Sequence, residues 1–416
     1  GTDTVGARLA GRPYAIAGSY RNGMQIVDIT NPRDAQVASV YDCGVTQGDV
    51  QIFRQRDKPG RVFAGYASDT YGDGTSPCYR EAAALGFEVL EPDGTGKNGT
   101  FIADITNPLR PTTVSFVEVA QGSHNQTIHP NGRFLYNSNS DLMTSFRPAI
   151  EVFDISNFAA PVKVKELNLP TRPGLGTESH DITFNASGTR AYSAAISQTL
   201  VLDTTNPEQP RIIGQVIDPA INVVHQSDPV TMTRPDGSQR ELLVITDERA
   251  GAAASVECPG GGLHVYDITG ANETAPVKLG TWFIPVVKPQ DGTTCTSHVL
   301  RIYPAQRMLT IAWYGQGVRV LDISGLATVT GSPATVAIGD GVGMREVGHY
   351  VFPDSDTWSF KTNRIAADGS FYGYGNDLTR GFDVYRFSGA GLSVPPLEPA
   401  DFKSRAPKPR GSIAPH

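Results

Sequence analysis

Seven segments of this chain repeat one pattern, an alternating apolar run closed by Asp and a small polar turn, and nothing else in the sequence limits its fold as strongly. They read MQIVDIT (24–30), FIADIT (101–106), IEVFDIS (150–156), LVLDTT (200–205), LHVYDIT (263–269), VRVLDIS (318–324) and, most degraded, FDVYRF (382–387). Asn-Pro follows three of them, at Asn31-Pro32, Asn107-Pro108 and Asn206-Pro207. Period-2 alternation of β-branched residues specifies strands, and Asn-Pro specifies a turn. The repeated acid (Asp28, Asp104, Asp154, Asp203, Asp267, Asp322) is expected to bond backbone amides of that turn, a structural role and not a catalytic one.

A hairpin precedes each such strand. In the third repeat residues 125–130 form one strand, Asn131-Gly132 turns the chain, and residues 133–137 return. Ser187-Gly188, Asp236-Gly237 and Asp368-Gly369 occupy equivalent turns, and Gly dipeptides of this kind are strong hairpin signals. A further strand follows the Asp, as at residues 162–167. Four strands per repeat, seven repeats and a spacing of about 50 residues predict an all-β fold, a seven-bladed β-propeller over residues 1–390, in which radial repetition protects sheet edges. Residues 391–416 are Pro- and charge-rich and are expected to form an extended tail. No segment predicts a helix of useful length. Ring closure stays open, since either residues 3–10 or the chain after Gly389 has to complete a blade.

Residues 24–32 resemble the repeat of the LVIVD family, whose unit runs as an apolar strand, the sequence IVDISNP and another strand; the resemblance covers about residues 12 to 388. It implies the propeller fold. It implies little chemistry, because the family consists mostly of uncharacterised bacterial and archaeal surface or secreted proteins, and fold does not license function.

Composition removes several functions. Hydrophobic residues make up 39% of the chain, enough for a sizeable core, while Gly 44 and Pro 30 suit short strands and tight turns. A formal charge of -7, with no Lys/Arg cluster, argues against nucleic acid or an anionic membrane surface as partner. No run of about 18 apolar residues exists to span a bilayer. The chain opens at Gly1-Thr2-Asp3, as a processed or a trimmed N-terminus would. Cys43 with Cys78, and Cys258 with Cys295, are expected to pair as loop staples, with free thiols the alternative. Pairing implies an oxidising compartment: secreted, periplasmic or cell surface.

The hairpin alignment places particular residues at the start of each innermost strand. Blade by blade they are Asp49, His124, His180, His225, His298 and Lys361. Histidine is rare, 8 of 416 residues, so four in consecutive repeats are not a chance recurrence. Duplication from one ancestral blade is the objection, and divergence of the surrounding residues answers it. Inner strands line the central channel, so the rings should converge on the axis. Crowded, partly desolvated imidazoles cannot all be cationic, and neutral imidazole is the commonest metal ligand. An N4 set without thiolate suits a transition metal, Fe(II) first, then Cu, then Zn. Histidines bonding waters and carbonyls in a solvated channel are the alternative.

The arrangement is similar to that of the carotenoid cleavage oxygenases, seven-bladed propellers that hold ferrous iron with four axial histidines, although that family's longer motifs are absent. The similarity implies His124, His180, His225 and His298 as ligands, with two open positions for dioxygen and substrate. Glu178, Asp181 and Asp228 are the nearest acids to orient the rings. Lys361 could take an anionic group, or pair with Asp49; with Glu178 these two form the expected catalytic set.

Two long loops should open on the same rim and select a small-molecule substrate at the channel mouth. Residues 68–86 hold Asp69, Tyr71, Cys78, Tyr79 and Arg80, and residues 247–262 hold Glu248, Arg249 and Cys258; shorter loops bring Arg147, Trp313, Tyr314 and Asn376. His129, His264 and His349 are expected to be structural. Four N-x-Ser/Thr triplets begin at Asn98, Asn125, Asn185 and Asn272. There is no GxSxG elbow, and Gly260-Gly-Gly262 lacks the strand–helix context of a phosphate loop. Three functions fit: a metal-dependent, oxygen-using oxidoreductase; a zinc-dependent hydrolase or lyase; or a non-catalytic secreted propeller that binds a partner.

Overall fold

Each Asp of the repeat closes its turn as its position demands. In six repeats its Oδ1 accepts the backbone amide two residues on: Asp28 from Thr30 (2.9 Å), Asp104 from Thr106 (2.8 Å), Asp154 from Ser156 (2.9 Å), Asp203 from Thr205 (3.0 Å), Asp267 from Thr269 (2.8 Å) and Asp322 from Ser324 (2.8 Å). A β-bulge falls just before the Asp in each of these blades, between Ile26 and Val27 in the first and Val320 and Leu321 in the sixth. Acid, turn and bulge therefore set one bend at the outer edge of each of these six blades.

These are the turns of a seven-bladed β-propeller. The computed structural model describes residues 4–69, 72–119, 122–139, 148–249, 256–288 and 294–392. The innermost strands are Thr4–Leu9, Val50–Phe53, Asn125–Ile128, Asp181–Phe184, Val224–Thr233, Leu300–Tyr303 and Thr357–Lys361. Antiparallel partners follow each one outward. Thr4–Leu9 pairs with Arg12–Gly18, so the first blade takes all four strands from the start of the chain. The seventh has three among the described residues, Thr357–Lys361, Phe371–Asp377 and Gly381–Phe387. Residues 391–392 are the only part of the expected tail within the described range.

A ribbon inserted in the sixth blade, Val336–Ile338 and Asp340–Gly341, pairs in parallel with the outer strand Val277–Phe283 of the fifth. Residues 77–84, expected to be loop, form the α-helix Pro77–Ala84, which buries Cys78, Tyr79 and Ala82. Proline in its first turn and three closing alanines favour that helix.

Among the described residues the buried apolar side chains fall into seven clusters, each built by two neighbouring blades. Phe53, Phe63 and Ile102 of the second blade meet Ile128, Leu135 and Phe153 of the third. Leu200, Leu202 and Ala191 of the fourth meet Tyr136, Ile150 and Val152 of the third. The smallest cluster, Ala15, Val27, Ile29 and Tyr374, joins the last blade to the first. Polar clasps reinforce that seam: Arg33 Nε donates to the Tyr372 hydroxyl at 2.9 Å, and the Asn376 amide donates to the Gly18 carbonyl.

The turn acids make stability depend on pH. The backbone amide and hydroxyl of Thr205, and then Arg211, hold the Asp203 carboxyl well below the usual carboxylate range. A depressed folded-state pKa contributes stability that is complete above the unfolded value of about 3.9 and is lost as pH falls through the folded one. Asp203→Asn should therefore lower the denaturation midpoint at pH 7, and the gap from the parent protein should narrow as unfolding is measured from pH 5 down to pH 2.5.

Candidate functional site

The ladders fix which side chains meet at the axis. Asn125 pairs with Ser138, Asp181 with Ala194, and Gln226 with Thr246. His124, His180 and His225 each stand one residue before these pairs. His298 holds the same place, its amide donating to Ala312 as that of His124 does to Ser138. Neighbouring ring centroids lie 4.2 Å (His124–His180), 4.4 Å (His180–His225) and 4.1 Å (His225–His298) apart. The four rings form one arc over blades three to six, and none is more than 6% exposed.

The flanking positions differ from expectation. Val50 pairs with Tyr66 as Gln126 does with Asn137, so Gly48, not Asp49, shares the histidine register. A Cβ on Gly48 would lie 2.1 Å from the Tyr66 ring, which fills the place a side chain would take. In the seventh blade Ser359 pairs with Asn376, and Trp358 is the bulged residue ahead of it. Trp358, not Lys361, therefore completes the layer, with its ring centroid 4.8 Å from that of His298.

Two of the rings have fixed tautomers. His124 Nδ1 donates to Asp69 Oδ1 at 2.9 Å, and His298 Nδ1 donates to the Trp358 carbonyl at 2.6 Å. Both partners accept, so each ring carries a proton on Nδ1 and turns its Nε2 away from that partner. Nδ1 of His180 and of His225 is buried without a hydrogen-bond partner. Burial, and then the charge of neighbouring histidines, pushes the pKa of His180 and of His225 well below 6.5. Burial holds His298 down at about 3, against the opposing pull of the Trp358 carbonyl.

Glu248, which lies in the expected rim loop but outside the expected site, completes the centre. Its Oε1 lies 3.6 Å from His298 Nε2 and its Oε2 3.7 Å from His225 Nε2. Potential ligand atoms of His180, His225 and Glu248 all lie within 4.8 Å of one another. The Tyr314 hydroxyl donates to Oε1. Tyr314 has a left-handed backbone, φ 42°, which sets its ring edge-on to His298 at 5.3 Å and is a strain typical of functional turns. Burial raises the Glu248 carboxyl to about 7, against the Tyr314 hydrogen bond. The position of Glu248, directly after the second strand of its blade, was the only sequence signal for it.

Glu178 does not reach this centre; its Oε2 folds back to accept the Thr177 amide at 2.9 Å, and it is not part of the cavity wall. That cavity, about 380 Å³, runs down the axis from the histidines. Asp49, Asp181, Asp228 and Lys361 line it below them. The amide nitrogen of Asn125 faces Asp49, 3.2 Å from Oδ1, and Asn125 is too buried to carry a glycan.

The loops are stapled as expected, Cys43 to Cys78 and Cys258 to Cys295. Trp313 packs in the core against Trp282, 6.1 Å between centroids, not on the rim. Tyr71 and Arg147 lie outside the described residues. His129 bonds the Gly188 carbonyl at 2.9 Å, His349 contacts Glu346 at 2.8 Å, and His264 is buried beside Lys278 at 3.1 Å.

No family model matches the sequence, and no curated protein matches it. Solved structures do resemble the fold. The periplasmic gluconolactonase PpgL of Pseudomonas aeruginosa superposes with a TM-score of 0.54 at 13% identity, covering 93% of this chain and 97% of that one. The Cps50 (Swd1) β-propeller domain of Myceliophteria thermophila gives 0.53 at 10% identity, with the same coverages of 93% and 97%. A functionally unknown protein of Desulfotomaculum acetoxidans gives 0.51 at 14%, covering 85% and 86%. At these identities the likeness establishes the fold alone.

The Cys258–Cys295 bridge ties the loop that begins at Glu248 to the segment entering His298. Replacing both cysteines by serine should destabilise the protein by about 2–4 kcal/mol in denaturant unfolding. Parent-like stability of the double variant would show that the bridge does not restrain this loop.

Proposed function

We propose that the axial cluster binds one transition-metal ion and that the protein is a secreted, oxygen-using, metal-dependent oxidoreductase of LVIVD repeat type. One observation carries the metal reading. The bare Nε2 of His298 faces a carboxylate oxygen of Glu248 at 3.6 Å, acceptor against acceptor, in a site buried enough to disfavour imidazolium. A metal cation between these two lone-pair donors would satisfy both. Ligand atoms each about 2.1 Å from one ion are about 3–3.6 Å apart when they subtend 90–120°, so the gap suits a metal.

His124, His180, His225 and His298 would hold the ion, with Glu248 beside them or as a direct ligand. Two histidines and a carboxylate form the facial set of non-haem iron oxygenases, which favours Fe(II), then Cu. A bound redox-active ion would supply dioxygen binding and electron transfer. The chain's own part is to fix the rings through Asp69 and the Trp358 carbonyl, to hold Glu248 through Tyr314, and to exclude bulk water by burial. The two disulfides are compatible with an oxidising compartment, and no helix is long and apolar enough to cross a membrane.

The same His180–His225–Glu248 group would also hold zinc, as hydrolases with two histidines and a glutamate do, and this is the second reading. Elemental analysis of untagged protein, purified without chelator beside His180→Ala/His225→Ala, separates them. About one iron or copper per chain, lost in the double variant, is expected, with dioxygen uptake to be screened next. Zinc at that level moves the assignment to hydrolysis or elimination, and no metal even after reconstitution leaves a binding scaffold. Glu248→Gln should weaken metal affinity about 10–100-fold in a chelator competition; unchanged affinity would remove Glu248 from the site.

A further inference from the structure

The four histidines do not enter the axial layer in the same way. His124, His180 and His298 donate their backbone amides across the blade, to the carbonyls of Ser138, Ala194 and Ala312. His225 enters on a bulge: Val224 pairs with Asp247 and Gln226 with Thr246, and His225 stands between the two pairs. A bulge re-aims one side chain at the cost of a local break in the ladder. Here the side chain of Asp247, 2% exposed, closes that break. Its Oδ1 accepts the amides of Asn222 at 2.9 Å and Val223 at 3.1 Å, just ahead of the bulge. The seventh blade repeats the device. Trp358 is bulged between the pairs Thr357–Asp377 and Ser359–Asn376, and Asp377 Oδ2 accepts the Asp356 amide at 2.8 Å.

Asp247 also gathers two further segments of the centre. The next residue is Glu248, whose amide donates to the Val223 carbonyl at 2.9 Å, so that Asp247 and Glu248 grip the approach to His225 from both sides. From the segment entering His298, the Thr296 and Ser297 hydroxyls each donate to the Asp247 carbonyl at 2.9 Å. The same Thr296 hydroxyl accepts the Arg249 amide at 2.8 Å. Thr296 and Ser297 are fully buried, so loss of a partner here would leave a polar group unsatisfied away from water. The packing is close enough to require glycine at 261, where a Cβ would lie 1.8 Å from the Asp247 carbonyl oxygen.

We propose that Asp247 is the positioning residue of the axial centre: one buried acid sets the bulge that presents His225 and, through its main chain, fixes Glu248 and His298 against it. The assignment rests on the reading of this cluster as a metal site. Glu248 is the group whose oxygens stand 3.6 Å from His298 Nε2 and 3.7 Å from His225 Nε2, and a working site needs such spacings held to about 0.5 Å. Asp247 acts through Val223, Glu248 and Ser297, and its Oδ1 is committed to the Asn222 and Val223 amides.

Titration of the chelator-treated full chain with cobalt(II), followed by its visible absorption, tests this role. Asp247→Leu keeps the size of the side chain and removes the acceptor; it should weaken cobalt binding about 10–100-fold and change the absorption spectrum. Asp247→Asn keeps Oδ1 and should restore the parent's affinity and spectrum. Asp203→Asn, destabilising but remote from the axis, should leave both unchanged, which separates positioning from general loss of stability. If Asp247→Leu does not fold, Thr296→Val/Ser297→Ala, which cuts the hydroxyl bonds to the Asp247 carbonyl, carries the same expectation. Parent-like binding in the variant that folds, no rescue by Asn, or an equal loss in Asp203→Asn would each overturn the proposal. The histidine ring resonances of metal-free protein, assigned by single substitutions, give a second readout that needs no metal. The same variant should shift those of His225 and His298 and leave those of His129 and His349 in place; unmoved His225 and His298 rings would overturn the proposal as well. Should the parent protein bind no cobalt, the metal reading fails, and the ring resonances alone decide the role of Asp247.

Discussion

A four-stranded blade has two apolar faces and no means of covering either. Phe53 and Phe63 on one blade leave water only by meeting Leu135 and Phe153 on the next, and the same exchange recurs around the molecule. Burial of this kind stabilises by about 25 cal/mol for each Å² of apolar surface removed from water. It is complete only when the last blade reaches the first. The ring follows, and with it the convergence of all inner strands on one axis. Histidines dozens of residues apart in sequence become stacked neighbours at 4.1–4.4 Å because the blades that carry them share walls.

That geometry separates scaffold from chemistry. The outer turns of six blades repeat one acid and one hydrogen bond, whereas the inner register varies freely from blade to blade. At one level it reads Gly48, four histidines and Trp358; three residues further on it reads Gln51, Thr127, Thr183, Asp228, Arg301 and Lys361. None of these side chains belongs to the apolar interblade clusters, so a substitution at either level changes the axis and leaves those clusters in place. The axis is also where burial acts most strongly on charge, lowering three imidazoles and raising Glu248 toward neutral pH. Both kinds of shift favour the uncharged form of the group, and such a cluster of perturbed groups marks a candidate functional site.

Local chemistry was legible in the sequence and spatial chemistry was not. The Asp turns, the Gly hairpins and the rare histidines each announce themselves within a few residues, and the bridges could be read because each cysteine pair flanks a blade boundary. The placement of Asp49 and Lys361 went astray for a physical reason. Gly48 has no side chain and Trp358 no metal-ligating atom, so neither true occupant of the histidine position stands out in the sequence, and the charged residues one and three places further on draw the alignment to themselves. Glu248 comes from a loop whose course depends on Val223, which accepts its amide at 2.9 Å, and no pattern encodes that contact. Glu178 is nearer to His180 in sequence yet turns back on Thr177. The helix Pro77–Ala84 was hidden by its brevity, although its proline and alanines were in view.

The seam between the last blade and the first has the smallest apolar cluster of the seven among the described residues, held partly by the Arg33–Tyr372 and Asn376–Gly18 bonds. It also lies across the ring from the arc of blades three to six. A split washer gives at its slit, and the metal opposite barely moves. Radial breathing of this propeller, whether thermal or driven by a molecule entering the channel, would concentrate at the seam in the same way, so the imidazole arc keeps its spacing while the far wall of the channel supplies the compliance.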